Sequence, residues 1–239
     1  MQEINDNCIS VVMITLNEEA AIAKVVNDIR KFSPQAEIVI VDSSKDRTAD
    51  IASELGCKVV KQFPAKGYGP AMHQALTSAS RDYVITMDCD DTYPVEAINV
   101  LVDKICEGYD LVSASRLGKR PQNMPLANYV ANWFFALSAR IICGVQSSDV
   151  HTGMRIYKKS LVEKFPYQPQ GLALPVELQV GPASLGYKCT EIFIDYRPRI
   201  GESKLQRFAS TVWTFKRIWR WRRFFNAERS KLAKQLSQA

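Results

Sequence analysis

Short apolar runs alternate along the first 116 residues with longer segments in which apolar side chains recur at helical spacing. Residues 8–16 and 37–41 are apolar at nearly every position, as parallel strands buried on both faces are. Shorter runs predict three further strands, over 58–61, 83–87 and 110–114. The segments between them predict helices over 20–31, 48–55, 70–80 and 95–107. This alternation predicts an α/β fold built on an open, mostly parallel sheet with helices on both faces.

The rest of the chain is less regular. An apolar helix is predicted over 129–142, a second helix over 175–185 and a strand over 190–196. The longest apolar stretch, 129–145, is interrupted by polar residues, namely Asn132, Ser138 and Arg140. We therefore do not expect it to span a membrane.

Polar and ionisable side chains follow four of the predicted strands at the point where each strand ends. They occupy residues 15–18, 42–44, 88–91 and 115–116. Because ligands of open parallel sheets bind beyond the carboxyl ends of the strands, we expect these groups to share one site. A single Asp at a strand end is often only the N-cap of the next helix, and Asp42 or Ser44 fits that simpler interpretation too. The convergence of four such ends favours a site.

The strongest local feature is the pair Asp88 and Asp90. If the preceding strand continues through residue 90, the two carboxylates project from the same face. Such a pair offers hard oxygen ligands suited to Mg²⁺ or Mn²⁺, above all when a diphosphate supplies further oxygens. An acidic loop that caps the following helix would contain the same residues, and the spacing alone favours neither interpretation.

Two segments place cations where phosphate groups can be held. Lys66 precedes Gly67 and Gly69 ahead of a predicted helix, and a helix N-terminus attracts anions, although an ordinary glycine turn has the same sequence. Residues 197–204 carry three cations and a hydroxyl: Arg197, Arg199, Lys204 and Ser203. Loops of this kind can close over phosphates through charge-assisted hydrogen bonds, and a solvated linker to the last helix is the alternative.

Composition excludes several classes of protein. The 239 residues are 46% hydrophobic, enough for a sizeable core and too apolar for a disordered chain. The six cysteines form no C-x-x-C pair, which argues against a zinc cluster and favours reduced thiols in the cytosol. The polar N-terminus has no apolar signal core. With two histidines and no G-x-S-x-G motif, a serine hydrolase is disfavoured.

The net charge of +6 is concentrated at the C-terminus. Residues 197–239 hold twelve Lys or Arg against two Asp or Glu, so the preceding body is mildly acidic. The predicted helix 208–225 contains three of the four tryptophans and a stripe formed by Phe208, Val212, Phe215 and Trp219. A basic, aromatic helix favours an anionic membrane surface as partner. A helix packed on the domain and a nucleic-acid contact are the alternatives, and the acidic body argues against nucleic acid.

Taken in chain order, these segments resemble the family-two glycosyltransferases of GT-A fold, and among them the polyprenyl-phosphate or dolichol-phosphate mannose and glucose synthases. The resemblance runs from about residue 10 to 205 and rests on segments 15–19, 41–48, 66–69, 87–90, 115–116, 149–155 and 201–205. It implies a GT-A domain over 1–205, with a nucleotide-binding half at 1–116 and an acceptor-binding half at 117–205. A basic helix and tail at 206–239 would follow.

The resemblance also implies roles on the donor side. Glu18 and Asp42 would hold the ribose and base of a nucleotide sugar. Asp90 would bind Mg²⁺ or Mn²⁺ directly, and Asp88 would approach the metal or the ribose. Thr92 stands where some relatives have a longer metal-binding side chain, which leaves the third protein ligand open. Further substrate contacts are expected from Thr15, Asn17 and Lys66.

The resemblance also implies roles on the phosphate and acceptor side. The side chains expected to grip the donor diphosphate or an acceptor phosphate are Arg116, Arg199, Ser203 and Lys204. Asp149 and Arg155 would shape the acceptor side, and Glu177 would bind sugar hydroxyls. Either Arg197 or Arg199 can take the usual arginine role of this loop.

The resemblance implies an inverting, metal-dependent transfer of a hexose from a GDP- or UDP-hexose to a polyprenyl phosphate, by a peripheral protein at the cytoplasmic face of the membrane. A phosphate monoester, with a second pKa near ~6, is already ionised and needs no base, whereas a sugar hydroxyl does. One alternative is a soluble glycosyltransferase with a hydroxyl acceptor and Glu177 or Asp149 as base. Another is a non-catalytic protein that binds nucleotide sugars or nucleic acid.

Overall fold

The computed structural model describes residues 4–122, 124–164, 166–171, 173–200 and 207–236, and in the last segment the side chains of 212–227. The strands in these residues are β1 (Ile9–Thr15), β2 (Glu37–Asp42), β3 (Lys58–Lys61), β4 (Tyr83–Thr86), β5 (Leu111–Ser115), β6 (Arg155–Lys158) and β7 (Cys189–Phe193). The helices are α1 (Glu19–Phe32), α2 (Thr48–Glu54), α3 (Tyr68–Ser78), α4 (Ala97–Cys106), α5 (Leu126–Cys143), α6 (Lys159–Lys164), α7 (Leu174–Ser184) and α8 (Arg207–Leu236).

These strands form one mixed sheet in the order β3-β2-β1-β4-β6-β5-β7. β1 pairs in parallel with β2 and β4, β2 with β3, and β5 with β7. The predicted α/β class with a mostly parallel sheet is thereby confirmed. β6, which the sequence did not predict, runs antiparallel to both of its neighbours, β4 and β5. Because β6 lies between two strands of 1–116, the two predicted halves share one sheet.

Alternate side chains of the central strands fill two apolar layers, one on each face of the sheet. Val12 and Val84 belong to the layer covered by α3, α5, α7 and α8. Val11 and Ile85 belong to the opposite layer, covered by α1 and α4. Burial on both faces is what the continuous apolar runs predicted.

The loop after β4 differs from the prediction in a way that affects the site. β4 ends at Thr86, so the strand does not continue through residue 90, and Asp88 and Asp90 belong to a loop. Asp91, at φ 63°, turns the chain just after them. The loop places the two carboxylates together, whereas the prediction relied on the period of a strand.

α5 passes the length and composition test for a membrane-spanning helix, and among the described residues it is the one helix that does. We predicted that Asn132, Ser138 and Arg140 would disqualify it, but the helix is apolar enough to pass. Phe135 and Ala139 face the core, and only 22% of the segment is buried. The same length and composition also fit an apolar helix that lies on the protein surface.

α8 packs on α5 and α7 through a face that the sequence did not predict. Thr214, Ile218 and Trp221 are completely buried. The indole of Trp221 lies so close to Gly181 of α7 that a Cβ there would come within 3.0 Å of the ring. Packing on the domain, one of the alternatives for this helix, is therefore what its inner face does.

The outer sides of α5 and α8 form an apolar surface, which we call the α5–α8 face. It consists of seven exposed side chains: Leu126, Val130, Trp133, Phe134, Ile141, Val212 and Trp219. Val212 and Trp219 lie one turn on either side of the half-buried Phe215, whose ring packs edge-on against Phe134 at 5.9 Å. The two helices thus contribute to one surface. The Phe208 side chain, part of the predicted stripe, lies outside the described residues.

Candidate active site

A cleft of about 490 Å³ opens beyond the carboxyl ends of β1, β2 and β4, where the sequence predicted a site. Six of the predicted site residues line it: Thr15, Glu18, Lys66, Asp88, Asp90 and Arg199. The other lining residues are Ile14, Leu16, Ser43, Ala65, Gly67, Tyr68, Ala71, Cys89, Gly171 and Trp213. The cleft thus joins residues from both ends of the chain.

Asp90 is held in one orientation by its neighbours. Its Oδ1 accepts hydrogen bonds from the Thr92 amide at 3.1 Å and the Thr92 hydroxyl at 2.6 Å. Its Oδ2 accepts one from Nη2 of Arg199, and the Ile200 amide donates to the Asp90 carbonyl at 3.0 Å. Thr92, at the position that left the third metal ligand open, orients the Asp90 carboxylate. Arg199 and Ile200 therefore lie across the acid pair.

The acid pair has the electrostatics of a cation site. Burial, and then the negative charge of Asp90, raises the pKa of Asp88 to about 7. Mg²⁺ and Mn²⁺ are commonly held by one or two carboxylates together with substrate phosphates and water, so Asp88 and Asp90 fit such an ion. In the described residues, no group of three or more His, Cys, Asp or Glu side chains could hold a metal by itself. Substrate oxygens or water would have to complete the coordination.

The loops after β1 and β2 are joined by hydrogen bonds to residues that were predicted to bind the nucleotide sugar. Asp42 is buried and accepts a bond from the Thr15 hydroxyl at 2.7 Å. Asn17, at φ 54°, accepts one from the Lys45 amide at 2.9 Å through its side-chain oxygen. Asp42 and Asn17 therefore shape the loops beside the cleft, whereas Glu18 lines the cleft itself.

Two glycines at the start of α3 bring the backbone close to the cleft. Gly67 has φ +92°, a conformation that side chains other than glycine rarely adopt. A Cβ on Gly69 would lie 1.8 Å from the Pro169 carbonyl oxygen, so only glycine lets that loop pack here. Lys66, exposed just before them, adds a cation to the cleft.

Arg116 and Asp149 form a buried ion pair behind the cleft. The Asp149 carboxylate accepts bonds from Nε of Arg116 at 2.7 Å and from Nη2 at 2.9 Å. Burial opposes the ionisation of Asp149, but the adjacent guanidinium outweighs it and lowers the pKa of Asp149. The guanidinium also lies 5.4 Å from the centre of the Tyr196 ring. A contact of Arg116 with phosphate stays a prediction.

Arg155 and His151 are engaged inside the protein. Arg155 is buried and donates from Nη2 to the Val150 carbonyl at 2.8 Å and from Nε to Gln179 at 3.2 Å. Nε2 of His151 lies 2.8 Å from the Thr214 hydroxyl of α8. Burial lowers the pKa of His151 to about 4, so its ring is neutral at pH 7. Arg155 supports the predicted acceptor half from within and does not line the cleft.

Glu177 does not line the cleft, contrary to its predicted contact with sugar hydroxyls. It is fully buried in α7 beneath α8. Its carboxylate accepts hydrogen bonds from Nη1 of Arg220 at 2.9 Å and from the Gln168 amide at 2.7 Å. Nε of Arg217 lies 3.4 Å away. A buried carboxylate needs such partners, and here α8 supplies them.

The two candidate arginines of the C-terminal loop lie in different places. Arg199 reaches into the cleft and pairs with Asp90, whereas Arg197 pairs with Glu96. The position of Arg199 matches the predicted arginine role better. Ser203 and Lys204 lie outside the described residues, so their phosphate contacts stay predictions.

Gly171 and Trp213 line the cleft although the sequence did not indicate them. Trp213 was interpreted only as part of a membrane-facing helix. A tryptophan in a basic helix carries no local signal that it belongs to a cleft formed mostly by the first 90 residues. The glycine in a Pro-rich loop was equally uninformative.

The sequence matches a known protein family and is similar to the sequences of known proteins. The family model described as "Glycosyl transferase family 2" matches residues 10–165. A dolichyl-phosphate hexose transferase of Haloferax volcanii is 41% identical over 210 residues, which cover 87% of this chain and 91% of that protein. The low-salt glycan biosynthesis hexosyltransferase Agl6 of the same organism is 33% identical over 208 residues. That match covers 84% of this chain but 50% of Agl6.

Solved structures share the fold. Glucosyl-3-phosphoglycerate synthase from Mycobacterium tuberculosis, solved with Mn²⁺, UDP-glucose and phosphoglyceric acid, superposes with a TM-score of 0.73. The sequences are 22% identical, and the match covers 90% of this chain and 79% of the synthase. The similarity supports the predicted GT-A architecture.

Proposed function

The chain belongs to glycosyl transferase family 2, and on that premise we propose that it transfers a hexose from a nucleoside-diphosphate sugar to the phosphate of a polyprenyl phosphate, with Mg²⁺ or Mn²⁺. That it is a glycosyltransferase follows from the family. The acceptor class is supported by the name of the Haloferax relative, a dolichyl-phosphate hexose transferase. The donor class is supported by the synthase of similar fold, which was solved with UDP-glucose and Mn²⁺. A GDP-hexose is the second candidate donor.

The acid pair and the cations of the cleft fit a departing diphosphate. Asp88 and Asp90 would hold the divalent cation, whose charge would stabilise the diphosphate as it leaves. Thr92 keeps the Asp90 carboxylate oriented toward the cleft. Arg199, which pairs with Asp90 at the cleft, would bind a diphosphate oxygen through charge-assisted hydrogen bonds. Lys66 adds a further positive charge.

The positions of two other carboxylates, Glu177 and Asp149, favour a phosphate acceptor over a hydroxyl acceptor. A hydroxyl acceptor needs a positioned base, and Glu177 and Asp149 were the candidates for it. Both are fully buried, and each is paired with arginine. No histidine lines the cleft within the described part of the chain. A phosphate acceptor, already ionised near neutral pH, needs orientation and positive charge in place of a base.

The α5–α8 face supports a membrane-bound acceptor. Trp133 and Trp219, more than half exposed, belong to this apolar surface. Exposed cations on the same two helices are Arg140, Lys216, Arg222 and Arg223. Aromatic and basic side chains together suit an interface rich in anionic lipid. We therefore propose a peripheral protein at the cytoplasmic membrane face, bound through α5 as well as α8.

A labelled transfer assay tests the proposed function. The purified chain would be incubated with polyprenyl phosphate, Mn²⁺ and, separately, labelled GDP-mannose, UDP-glucose or UDP-N-acetylglucosamine, and the organic phase counted. We expect label in the organic phase with one of these donors and its loss on addition of EDTA. An empty organic phase with protein that binds a donor would contradict the lipid acceptor and favour a hydroxyl acceptor.

A further inference from the structure

Behind the cleft lies a second group of acid and arginine side chains, formed by Glu177, Arg217 and Arg220, which we call the Glu177 cluster. The Glu177 carboxylate is fully buried, and the Arg217 side chain is only 5% exposed. Both arginines come from α8, whereas Glu177 comes from α7. Breaking a buried pair of this kind leaves an uncompensated charge, so the cluster holds α8 in a fixed position on α7.

The same two arginines bind the backbone of the loop over residues 166–171. Nη2 of Arg217 donates to the carbonyls of Gln168 and Gln170, both at 3.1 Å. Nη2 of Arg220 donates to the Pro166 carbonyl at 2.7 Å. Every second carbonyl of this loop therefore accepts a charge-assisted hydrogen bond from α8.

The far end of the loop reaches the cleft between α3 and α8. The Pro169 carbonyl packs on Gly69 of α3, where no side chain could fit. A Cβ on Gly171 would lie 3.1 Å from the Trp213 indole, so this ring packs directly on the glycine. Trp213 and Gly171 both line the cleft, and the Arg217 guanidinium lies 5.4 Å from the centre of the Trp213 ring.

On the basis of the function proposed above, we propose that α8 is part of the nucleotide-sugar site: Trp213 forms a wall of the cleft, and Glu177, Arg217 and Arg220 are positioning residues that hold this wall. A wall fixed before the ligand arrives lowers the ordering cost of binding. Donor affinity therefore depends on α8 in the absence of lipid and acceptor. The helix that carries part of the α5–α8 face also completes the donor cleft.

Calorimetric titration of lipid-free protein with UDP-glucose and, separately, GDP-mannose, both with Mn²⁺, tests this assignment. We expect Trp213→Ala and Arg220→Gln to weaken binding about tenfold, because an aromatic wall is removed or displaced. Trp213→Phe, which keeps an apolar ring, should bind within about threefold of the wild type. Arg81→Gln, an exposed arginine just before β4, serves as the matched control and should bind normally. In turnover, Trp213→Ala should raise the KM for the donor and leave the KM for the acceptor unchanged.

The outcomes separate this inference from the proposed function. Trp213 is 36% exposed, so Trp213→Ala should remain folded, as its thermal unfolding midpoint will show. Wild-type protein that binds neither nucleotide sugar overturns the proposed function and the inference with it. Wild-type binding that Trp213→Ala leaves unchanged overturns the inference alone. Weakened binding in Trp213→Ala with normal binding in folded Arg220→Gln overturns the positioning role of the Glu177 cluster.

Discussion

Two acid–arginine groups of the same chemistry have opposite settings in this protein. The Asp90–Arg199 pair lies in the cleft, where Arg199 is 27% exposed and Asp88 adds a second negative charge nearby. The Glu177 cluster lies beneath α8, where its carboxylate is inaccessible to solvent. The first pair can exchange its partner for a ligand, because both residues line the cleft, although the Asp90 side chain is only 2% exposed. The second cannot, and it serves to fix α8 and the 166–171 loop.

Position in the cleft, and not burial alone, therefore distinguishes an exchangeable pair from a structural one, since Arg199 and Arg220 are both 27% exposed. A carboxylate next to another carboxylate is held in the folded protein at some cost, which a bound cation offsets. The sealed Glu177 carboxylate accepts hydrogen bonds from Arg220 and from the Gln168 amide, although burial still raises its pKa. The two groups should accordingly respond to mutation in opposite ways, one through activity and the other through stability.

Removing the charge of Asp90 should have the largest effect, and on activity alone. We expect Asp90→Asn to lower kcat by at least about 100-fold, because the cation and the departing diphosphate lose a ligand and its charge. The free energy of unfolding should change by less than about 1 kcal/mol, since Asp88 is relieved of a like charge. Steady-state kinetics and urea unfolding measure the two. Full activity in this variant would remove Asp90 from the site.

Truncating Glu177 should show the reverse pattern. Glu177→Ala leaves two guanidiniums without their buried counter-ion, and we expect a loss of about 3–5 kcal/mol in the free energy of unfolding. Urea unfolding beside Asp90→Asn gives the comparison directly. If Glu177→Ala unfolds like the wild type, the cluster is not the structural pair described above.

Acid should destabilise the packing of α8 through His151, whose Nε2 lies 2.8 Å from the Thr214 hydroxyl. Burial lowers the pKa of His151 to about 4, below its ordinary value of 6.5, so the unfolded chain takes up a proton there first. Stability is therefore complete above about pH 6.5 and falls as the pH drops toward 4, by up to about 3 kcal/mol. Unfolding midpoints at several pH values measure this. In His151→Asn the decline between pH 6.5 and 4 should be smaller, and an unchanged decline would assign it to other groups.

A substitution on the α5–α8 face should have the smallest effect, a weaker binding to vesicles. It extends the comparison to the outer surface of the protein. Ile141 is 74% exposed, so Ile141→Ser should leave the fold intact and weaken binding to anionic vesicles about fivefold. Val100→Ser on α4, also exposed, is the matched control and should bind vesicles like the wild type. Co-sedimentation with vesicles measures both. Equal binding of all three proteins would show that this face does not contact lipid.

The cleft that holds the Asp90–Arg199 pair could be predicted from the sequence, because the sequence patterns that indicate it are local. Continuous apolar runs indicate buried parallel strands, and polar residues just after them fall at one edge of the sheet whatever the details of the loops. That reasoning placed Glu18, Asp88 and Asp90 in the cleft, although β4 proved shorter than expected. It missed β6, a four-residue strand whose first residue is the buried Arg155, because so short a run has no period.

The packing of α8 and the Glu177 cluster could not be predicted in the same way, because they depend on contacts between residues far apart in the sequence. Glu177 and Arg220 are 43 residues apart, and only the packing of α8 on α7 brings them together. Thr214 and Arg217 are polar, so helical periodicity assigns them to the outer surface, yet both are buried. Thr214 bonds to His151, and Arg217 donates to the carbonyls of Gln168 and Gln170. The described residues of the predicted stripe lie on one side of α8, but its buried inner face was not predicted for this reason, and Trp213 could not be linked to the cleft.

The comparison of two acceptors that differ only in the phosphate tests the central claim most directly. The wild-type protein would be supplied with its labelled donor, Mn²⁺ and either a polyprenyl phosphate or the polyprenol of the same length. We predict transfer of the hexose to the phosphate and none to the alcohol, because Glu177 and Asp149, the two candidate bases for a hydroxyl, are buried and paired with arginine. Equal transfer to the polyprenol would contradict the account.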